Sequence, residues 1–442
     1  MKRYIALIIL SLATFPLTKA ENWTMEECME YSVKHSAEVQ QAQWNLASAI
    51  TEQSAAIANF LPSVTAQSSA QFNWGRNINP ETNTYNNVTT FNNGYGIFAS
   101  MTIFDGGQIF NRWKEARLRK EQSTNAVDMY SDDCAIATMM AFVDAIYFRE
   151  ATIIAQEKVN QSEAVLTLTT RQEELGIKGL PDVAQAKANL AEDKFNLVKQ
   201  KNQQIQAILA LKTAMNYPID EDIELDTITA TKPISPFYEN TDDIYNKAIL
   251  SNPIAIDANI NVNAAYYQYR ATQGMLYPSI SINAGISTAY NKLISGGSNS
   301  PLPFNQQFKN NIGEYISATI SIPLFNRLNI ISTKKKAKHS YEIAKIQRDK
   351  QYRKLYDDIV KAEMDRQGLA AEVFSLTEKV KADSLSYSLS KKKYNEGLLS
   401  IIDLQTTANN LYTSQINLLQ KKMLYILKEK LISYYKGKPL YM

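Results

Sequence analysis

The sequence has very few of the residues on which enzyme and metal sites usually depend. It holds two histidines and two cysteines in 442 residues. His35 and His339 lie in different halves of the chain, and Glu38, three residues after His35, is interpreted as part of a solvated helix pair. No glycine-rich phosphate loop, G-x-S-x-G or H-E-x-x-H motif occurs. We therefore expect no enzyme activity, no catalytic residue, no metal site and no cofactor.

The two cysteines, Cys28 and Cys134, are far apart and lack the spacing of a zinc site. In an oxidising compartment they could form a disulfide, and two buried free thiols fit the sequence equally well. The cysteine content leaves both alternatives open.

Glycine and proline are also scarce, with 15 and 13 residues. Neither occurs between Gly107 and Leu175, and only Gly368 interrupts the stretch from Arg327 to Glu396. A helix rises 1.5 Å per residue, so about 70 uninterrupted residues predict two helices, each about 100 Å long.

The chain also has no large excess of positive or negative charge, because its formal net charge is only +3. Lys2, Arg3 and Lys19 carry three positive charges, and residues 1–20 contain no acid, so the rest of the chain is close to neutral. Nucleic acid is therefore not an expected partner. The basic start, the apolar run 4–15 and the small residues Thr18 and Ala20 predict a signal peptide over 1–20. A short membrane anchor is the disfavoured alternative, because a spanning helix needs about 20 apolar residues.

Three landmarks recur along the chain at nearly constant spacing. Pro62-Ser63 returns as Pro278-Ser279, an offset of 216 positions (62 to 278). Phe104 returns as Phe325, and the Gly176 turn returns at Gly397, both offset by 221 (104 to 325 and 176 to 397). The pattern indicates a tandem duplication, with repeats at 21–217 and 241–436 joined by a linker at 218–240.

Each repeat contains two segments that alternate apolar and neutral polar residues. These predict strands at about 62–74, 94–104, 278–290 and 314–324, separated within each repeat by polar loops at 75–93 and 291–311. About ten residues is the length of a tilted transmembrane strand, and aromatic residues lie near the strand ends. A soluble β-sandwich is the alternative. Because membrane barrels have at least eight strands, four strands per chain require oligomerisation.

The order of these elements resembles the TolC-like outer-membrane efflux proteins. The resemblance rests on the Pro-Ser strands, on the paired G-x5-D turns, and on the motifs Ile103–Gly107 and Ile322–Asn326, in which the second strand of each repeat ends. It implies a mainly α protein with membrane β structure. Its expected form is a homotrimer with a 12-stranded barrel, four strands per chain, continued by a long α-helical barrel through the periplasm.

The resemblance also implies location in the bacterial outer membrane, in contact with its lipid. It implies a periplasmic adaptor protein and an inner-membrane pump as partners, with function in efflux or type I secretion. The segment 218–240 would lie around the middle of the tunnel. The alternative hypothesis is a structural or adhesive cell-surface coiled-coil protein with a soluble β head.

The turns carry the candidate site residues. By resemblance, Gly176, Asp182 and Gly397 form helix-turn tips for adaptor docking. Asp403 would place three carboxylates around the tunnel axis of the trimer, where they repel one another and attract cations. Helix capping is the alternative role of Asp403, and it fits Asp182 better than the entrance role does.

Two neighbours of Asp403 weaken a charge-based closure. Leu399 stands where the family has a basic residue, and Thr406 stands where it has a second acid. We therefore expect closure of the entrance to rely more on packing of Leu398, Leu399 and Ile401.

Two basic runs remain. Lys334–Lys338 follows the fourth strand; a solvated helix start is favoured, with an anionic-lipid or nucleic-acid site as the alternative. Lys391–Lys393 precedes the Gly397 turn and fits either a solvated helix end or an adaptor-docking surface.

Overall fold

The computed structural model describes residues 22–78, 83–87, 89–227, 234, 239–295 and 302–441. The expected signal peptide at 1–20 lies outside these residues. The chain divides into two compact units. The first comprises Met1–Gln40, Met129–Ser251 and Tyr356–Met442, and the second comprises Gln41–Asp128 and Asn252–Leu355. No helix among the described residues is long and apolar enough to cross a membrane.

Fifteen elements follow one another along the described chain. In order they are α1 (Met25–His35), α2 (Ala37–Ala58), β1 (Ser63–Asn73), β2 (Arg76–Ile78), β3 (Tyr85–Asn87), β4 (Thr89–Phe104), α3 (Gln108–Glu174), α4 (Leu180–Met215), α5 (Thr241–Ser251), α6 (Pro253–Gly274), β5 (Ser279–Ser295), α7 (Phe304–Asn310), β6 (Gly313–Ser321), α8 (Asn329–Asn395) and α9 (Ile401–Tyr435).

The helices repeat the duplication. Helices α1 and α5 have 11 residues each, α2 and α6 have 22, and α3 and α8 have 67. The first two pairs start 216 positions apart (25 to 241 and 37 to 253), and α3 and α8 start 221 apart (108 to 329). At 1.5 Å per residue, α3 and α8 are each about 100 Å long. The mainly α fold with an internal duplication is confirmed.

The second unit contains a four-stranded antiparallel sheet in the order β1-β4-β5-β6. Val64, Ala99, Ala284 and Ile316 are paired in one row across all four strands. Alternation therefore places the predicted apolar residues of every strand on one face. On the other face, a Cβ on Gly285 would lie 2.6 Å from the Tyr315 ring, so this position leaves room only for glycine.

The segments predicted as polar loops contain additional structure. Strands β2 and β3 form a hairpin, and β4 begins at Thr89, inside the predicted loop 75–93. Strand β5 continues to Ser295, and α7 follows. The Gln307 side chain pairs with the backbone N–H and C=O of Asn291, which holds α7 on β5. Asparagine and glycine disfavour strands locally, and here pairing with β5 overrides that preference.

The first unit is helical and has its own apolar core. Residues of α1, α3 and α4 meet there, including Met29, Phe142 and Leu211. Cys28 lies in this core as a free thiol, and burial raises its pKa to about 12. Cys134 is a half-buried free thiol, so in this structure the cysteines do not form a disulfide.

Described residues of the predicted linker 218–240 make contacts within this unit. The Trp23 backbone pairs with the strand-like backbone around Leu225. Ile234 packs on the cluster formed by Leu369 and Tyr425. The N–H of Glu239 donates to the buried Glu363 carboxylate.

Candidate functional site at the two helix turns

The two predicted turns have the same backbone structure. Gly176 follows α3 with φ +71°, and Gly397 follows α8 with φ +75°. At the first turn the N–H of Ile177 donates to the Gln172 carbonyl at 2.8 Å. At the second, the N–H of Leu398 donates to the Lys393 carbonyl at 2.9 Å. These are Schellman caps, which require the left-handed conformation that glycine adopts most readily.

The aspartates of the two G-x5-D turns both lie in the first turn of the helix that follows and take part in the hydrogen bonds at its start. The Asp182 carboxylate accepts a hydrogen bond from the Gly179 N–H at 3.3 Å. The Asp403 carboxylate accepts one from the Ser400 hydroxyl at 2.7 Å, while the Ser400 oxygen accepts from the Asp403 N–H at 3.1 Å. A negative charge in the first helical turn also suits the helix dipole. Asp182 therefore satisfies a free backbone N–H, whereas at the second turn Ser400 is the N-cap and Asp403 supports its hydroxyl. The Asp403 side chain is also exposed.

The turns lie against each other within the first unit. The Lys178 ammonium donates to the Leu399 carbonyl at 3.1 Å and lies 5.3 Å from the centre of the Tyr394 ring. The Tyr394 hydroxyl, fully buried, is 2.5 Å from the Thr169 hydroxyl. Helix pairs α3–α4 and α8–α9 therefore end in one joined tip. The sequence analysis did not identify Lys178, Tyr394 or Thr169. Lys178 could have been noticed, because it is the repeat counterpart of the candidate residue Leu399 (178 to 399).

The apolar residues expected at the entrance separate into two groups. Leu398 is exposed, whereas Ile401 is buried with Leu404 and Tyr387. Leu399 is half-buried against the same cluster. Leu398 and Asp403 therefore lie at the surface of the tip, and the buried Ile401 packs beneath the turn.

A buried ion pair lies further along these helices. Lys158 on α3 and Asp193 on α4 are 2.9 Å apart, and their side chains are 12% and 1% exposed. The Ser162 hydroxyl donates to the Asp193 carboxylate at 2.5 Å. Lys158 also donates to Asn409 on α9 at 2.6 Å and lies 4.7 Å from the Tyr412 ring centre. The pair connects α3 and α4 to α9.

The second repeat has the same lysine, but its serine and aspartate have exchanged positions. Lys379, Asp383 and Ser414 are the counterparts, 221 positions on, of Lys158, Ser162 and Asp193. Lys379 pairs with Asp383 at 2.8 Å. The pKa of Asp383 is lowered mainly by this hydrogen bond, and Ser414 contributes a second one. Each hairpin thus retains one lysine, one aspartate and one serine in contact.

Among the described residues, no cluster of three or more His, Cys, Asp or Glu side chains could hold a metal ion. The polar groups at the tip instead cap helices or link the two turns.

The solved structures similar to this chain include outer-membrane proteins. A CusC structure has a TM-score of 0.82 and 15% identity, covering 94% of this chain and 92% of that one. VceC of Vibrio cholerae has a TM-score of 0.81 and 14% identity, covering 94% and 96%. The CmeC outer-membrane channel of Campylobacter jejuni has a TM-score of 0.80 and 15% identity, covering 93% and 85%. No curated protein matches the sequence significantly.

The family model of the outer membrane efflux proteins matches residues 31–217 and 244–429. The chain therefore belongs to the outer membrane efflux protein family, and it is an outer-membrane channel component of an efflux system. The double match also confirms the internal duplication, and it favours the efflux hypothesis over the adhesive coiled-coil hypothesis.

The glycine of the second turn can be tested against a glycine inside the preceding helix. Gly397→Ala is expected to lower the free energy of unfolding by about 1–2 kcal/mol, because the left-handed conformation is costly for residues with a Cβ. Gly368→Ala, in the exposed interior of α8 with open space around it, is expected to raise it by about 0.5–1 kcal/mol. Denaturant titration followed by circular dichroism measures both. The same sign of change in the two variants would contradict the turn assignment.

Proposed function

We propose that three copies of the chain join into one continuous duct from the outer membrane through the periplasm. The sheet supports this, because β1 and β6 are its outer strands and have no second partner strand among the described residues. Their apolar residues Val64, Ile316 and Ile320 are exposed. Joining β1 of one copy to β6 of the next satisfies both edges, and three copies give about twelve strands.

The strongest support comes from comparing α2 with its repeat counterpart α6. Helix α6 lies between two neighbours in its own unit. Asn125 on α3 donates to the Pro253 carbonyl at 2.7 Å. The ring centroids of Tyr266 and of Tyr341 on α8 are 5.6 Å apart, with the rings tilted by 54°. Ile260 on α6 is 4% exposed, whereas its counterpart on α2, Trp44 (44 to 260), is 77% exposed. Among the described residues, helix α2 is therefore less covered at this position than its duplicate.

The repeat also indicates what covers α2. Gln122 on α3 donates to Asp257 on α6 at 3.0 Å. Their repeat counterparts are Ile343 on α8 (122 to 343) and Gln41 on α2 (257 to 41). Ile343 is exposed, and so is Ile346, the counterpart of Asn125. We infer that α8 of one copy packs against α2 of the next, with Ile343 beside Gln41.

Cysteine cross-linking tests this contact. Gln41→Cys with Ile343→Cys, in a Cys28→Ala/Cys134→Ala background, is expected to form covalent dimers and trimers on mild oxidation. Gln41→Cys with Lys391→Cys, which moves the second thiol to the other end of α8, is expected to stay monomeric on a denaturing gel. Equal cross-linking of both pairs, or none with Ile343→Cys, would contradict the proposed interface.

At the tip we propose that Asp403 and Leu398 line the duct entrance, one of each from every copy. Both side chains are exposed at the start of α9, and the turn below them is held by the buried Ile401. Three carboxylates near one axis would attract multivalent cations, because like charges in close proximity favour a shared counterion. Leu399 and Thr406 are uncharged, so neither of them adds to this negative charge.

We further propose that the tips receive a periplasmic adaptor protein that connects the duct to an inner-membrane pump. Leu175, Ile177 and Leu180 of the first turn and Leu398 of the second are exposed at the same end of the helices. The run Lys391–Lys393 is exposed beside them. An apolar tip with a basic rim is the surface composition of a protein interface.

A further inference from the structure

Basic side chains are concentrated where each long helix begins. The second repeat has Arg327, Lys334, Lys335, Lys336 and Lys338, and no acid occurs from Ile322 to Tyr341. The first repeat has a matching set at the start of α3: Arg112, Lys114, Arg117, Arg119 and Lys120. We call these ten residues the basic collar. The whole chain has only three more basic than acidic residues, so this concentration is local.

The second-repeat half of the collar is not neutralised within the chain. None of its five side chains forms an ion pair with a residue of the described part, and all but the half-buried Lys334 are exposed. In the first-repeat half, Arg119 lies 4.0 Å from Glu115, a long ion pair. Positive charge near a helix N-terminus gains nothing from the helix dipole, which favours cations at the other end. Local helix stability therefore does not explain these lysines.

Large apolar side chains are exposed directly beside the collar. Leu324 and Phe325, between β6 and α8, are 93% and 79% exposed. In the first repeat, Phe104 and Phe110 are exposed, and the Lys114 ammonium lies 4.7 Å from the Phe110 ring centre. All belong to the second unit, where the strands end and the long helices start. Exposed apolar residues followed by basic ones are the composition of a membrane interface.

We propose that the basic collar binds the phosphate groups of anionic phospholipids, with the neighbouring leucine and phenylalanine side chains among the acyl chains. The bound leaflet is the one at the helix end of the sheet. This rests on the proposal that the closed sheet is the membrane-embedded part. The exposed apolar side chains select a lipid headgroup over a free anion, because a soluble anion offers them no contact. Each lysine ammonium group near the membrane surface attracts the negative headgroups and so makes binding of anionic lipid more favourable.

The test compares two triple variants of the same helix. Lys334→Gln/Lys336→Gln/Lys338→Gln removes three charges from the collar, and Lys391→Gln/Lys392→Gln/Lys393→Gln removes three from the opposite end of α8. The intact oligomer in dodecyl maltoside is titrated with dioleoylphosphatidylglycerol or dioleoylphosphatidylcholine, and bound lipid is counted by native mass spectrometry. The collar variant is expected to lose at least tenfold in apparent phosphatidylglycerol affinity. The Lys391→Gln/Lys392→Gln/Lys393→Gln variant is expected to keep the phosphatidylglycerol affinity of the unmodified protein. The phosphatidylcholine affinity is expected to stay unchanged in both variants.

Two results would overturn the proposal. One is an equal loss in both variants, which would show a general effect of charge. The other is unchanged lipid binding with altered ion selectivity of the collar variant in planar bilayers, which would place these lysines in the duct. Channel formation by the unmodified protein is measured in the same bilayers. A failure of the duct proposal is therefore seen separately from a failure of lipid binding.

Discussion

Replacing Asp193 by asparagine is expected to lower the free energy of unfolding by about 3 kcal/mol. The change keeps the size of the side chain and its contact with Ser162, and it removes only the negative charge. Lys158 would then remain largely buried without its counterion 2.9 Å away. Leaving one member of a buried ion pair uncompensated typically costs about 3–5 kcal/mol, and Lys158 can recover part of this through Asn409.

The control for Asp193→Asn is a second ion pair between the same helices. Lys194 and Glu163 are also 2.9 Å apart, but their side chains are 53% and 50% exposed. Glu163→Gln is expected to change the free energy of unfolding by less than about 0.5 kcal/mol, because exposed pairs are screened by water. Guanidinium titration in detergent, followed by circular dichroism, measures both variants. If both variants lost the same free energy of unfolding, burial would not explain the stabilising effect of the Lys158–Asp193 pair.

The second repeat supplies a rescue variant. Ser162→Asp with Asp193→Ser recreates the arrangement of Lys379, Asp383 and Ser414 in the first repeat. This double variant is expected to recover more than half of the stability lost in Asp193→Asn. No recovery would show that the position of the carboxylate matters as much as its presence.

Asp403→Asn is expected to weaken block of the channel by hexaamminecobalt(III) at least tenfold. If three Asp403 carboxylates surround the entrance, the variant removes three negative charges at once, and a trivalent cation loses its main attraction. The measurement is the blocker concentration that halves the current in planar bilayers, at low ionic strength, with the blocker on the side of the helix tips.

Asp182→Asn is the matched control, because Asp182 occupies the corresponding position of the other turn and caps its own helix. It is expected to leave the block within about twofold of the unmodified protein. Equal effects of the two variants would assign the block to charge at the tips in general. An unchanged block in Asp403→Asn would remove Asp403 from the entrance.

Much of the fold follows from local pattern and repetition. Gly176 and Gly397 could be assigned to turns because a glycine after a long apolar-periodic segment commonly ends a helix. The strand faces followed from alternation, since register must keep apolar residues on one side. The extension of β4 into Thr89–Asn93 could not be seen, because its asparagines favour turns until β5 provides hydrogen-bond partners.

The contacts at the tip were harder to predict for a different reason. Lys178 bonds Leu399, and Tyr394 meets Thr169, across helices that are far apart in sequence. The pattern of a single helix shows which face is buried but does not identify the residue opposite. The exchanged serine and aspartate at 162, 193, 383 and 414 are visible in the sequence only when the repeats are aligned at an offset of 221. The residues that contact each other in these two networks can therefore be recognised from the sequence only by comparing equivalent positions of the two repeats.

The proposal that copies of this chain close into one membrane duct can be tested on the purified protein. The most direct measurement is the mass of the purified oligomer by light scattering in detergent, followed by conductance of the same fraction in planar bilayers. We predict three chains per particle and discrete, uniform channel steps. A monomeric particle, or a trimer that never conducts, would show that the chain does not form the proposed duct.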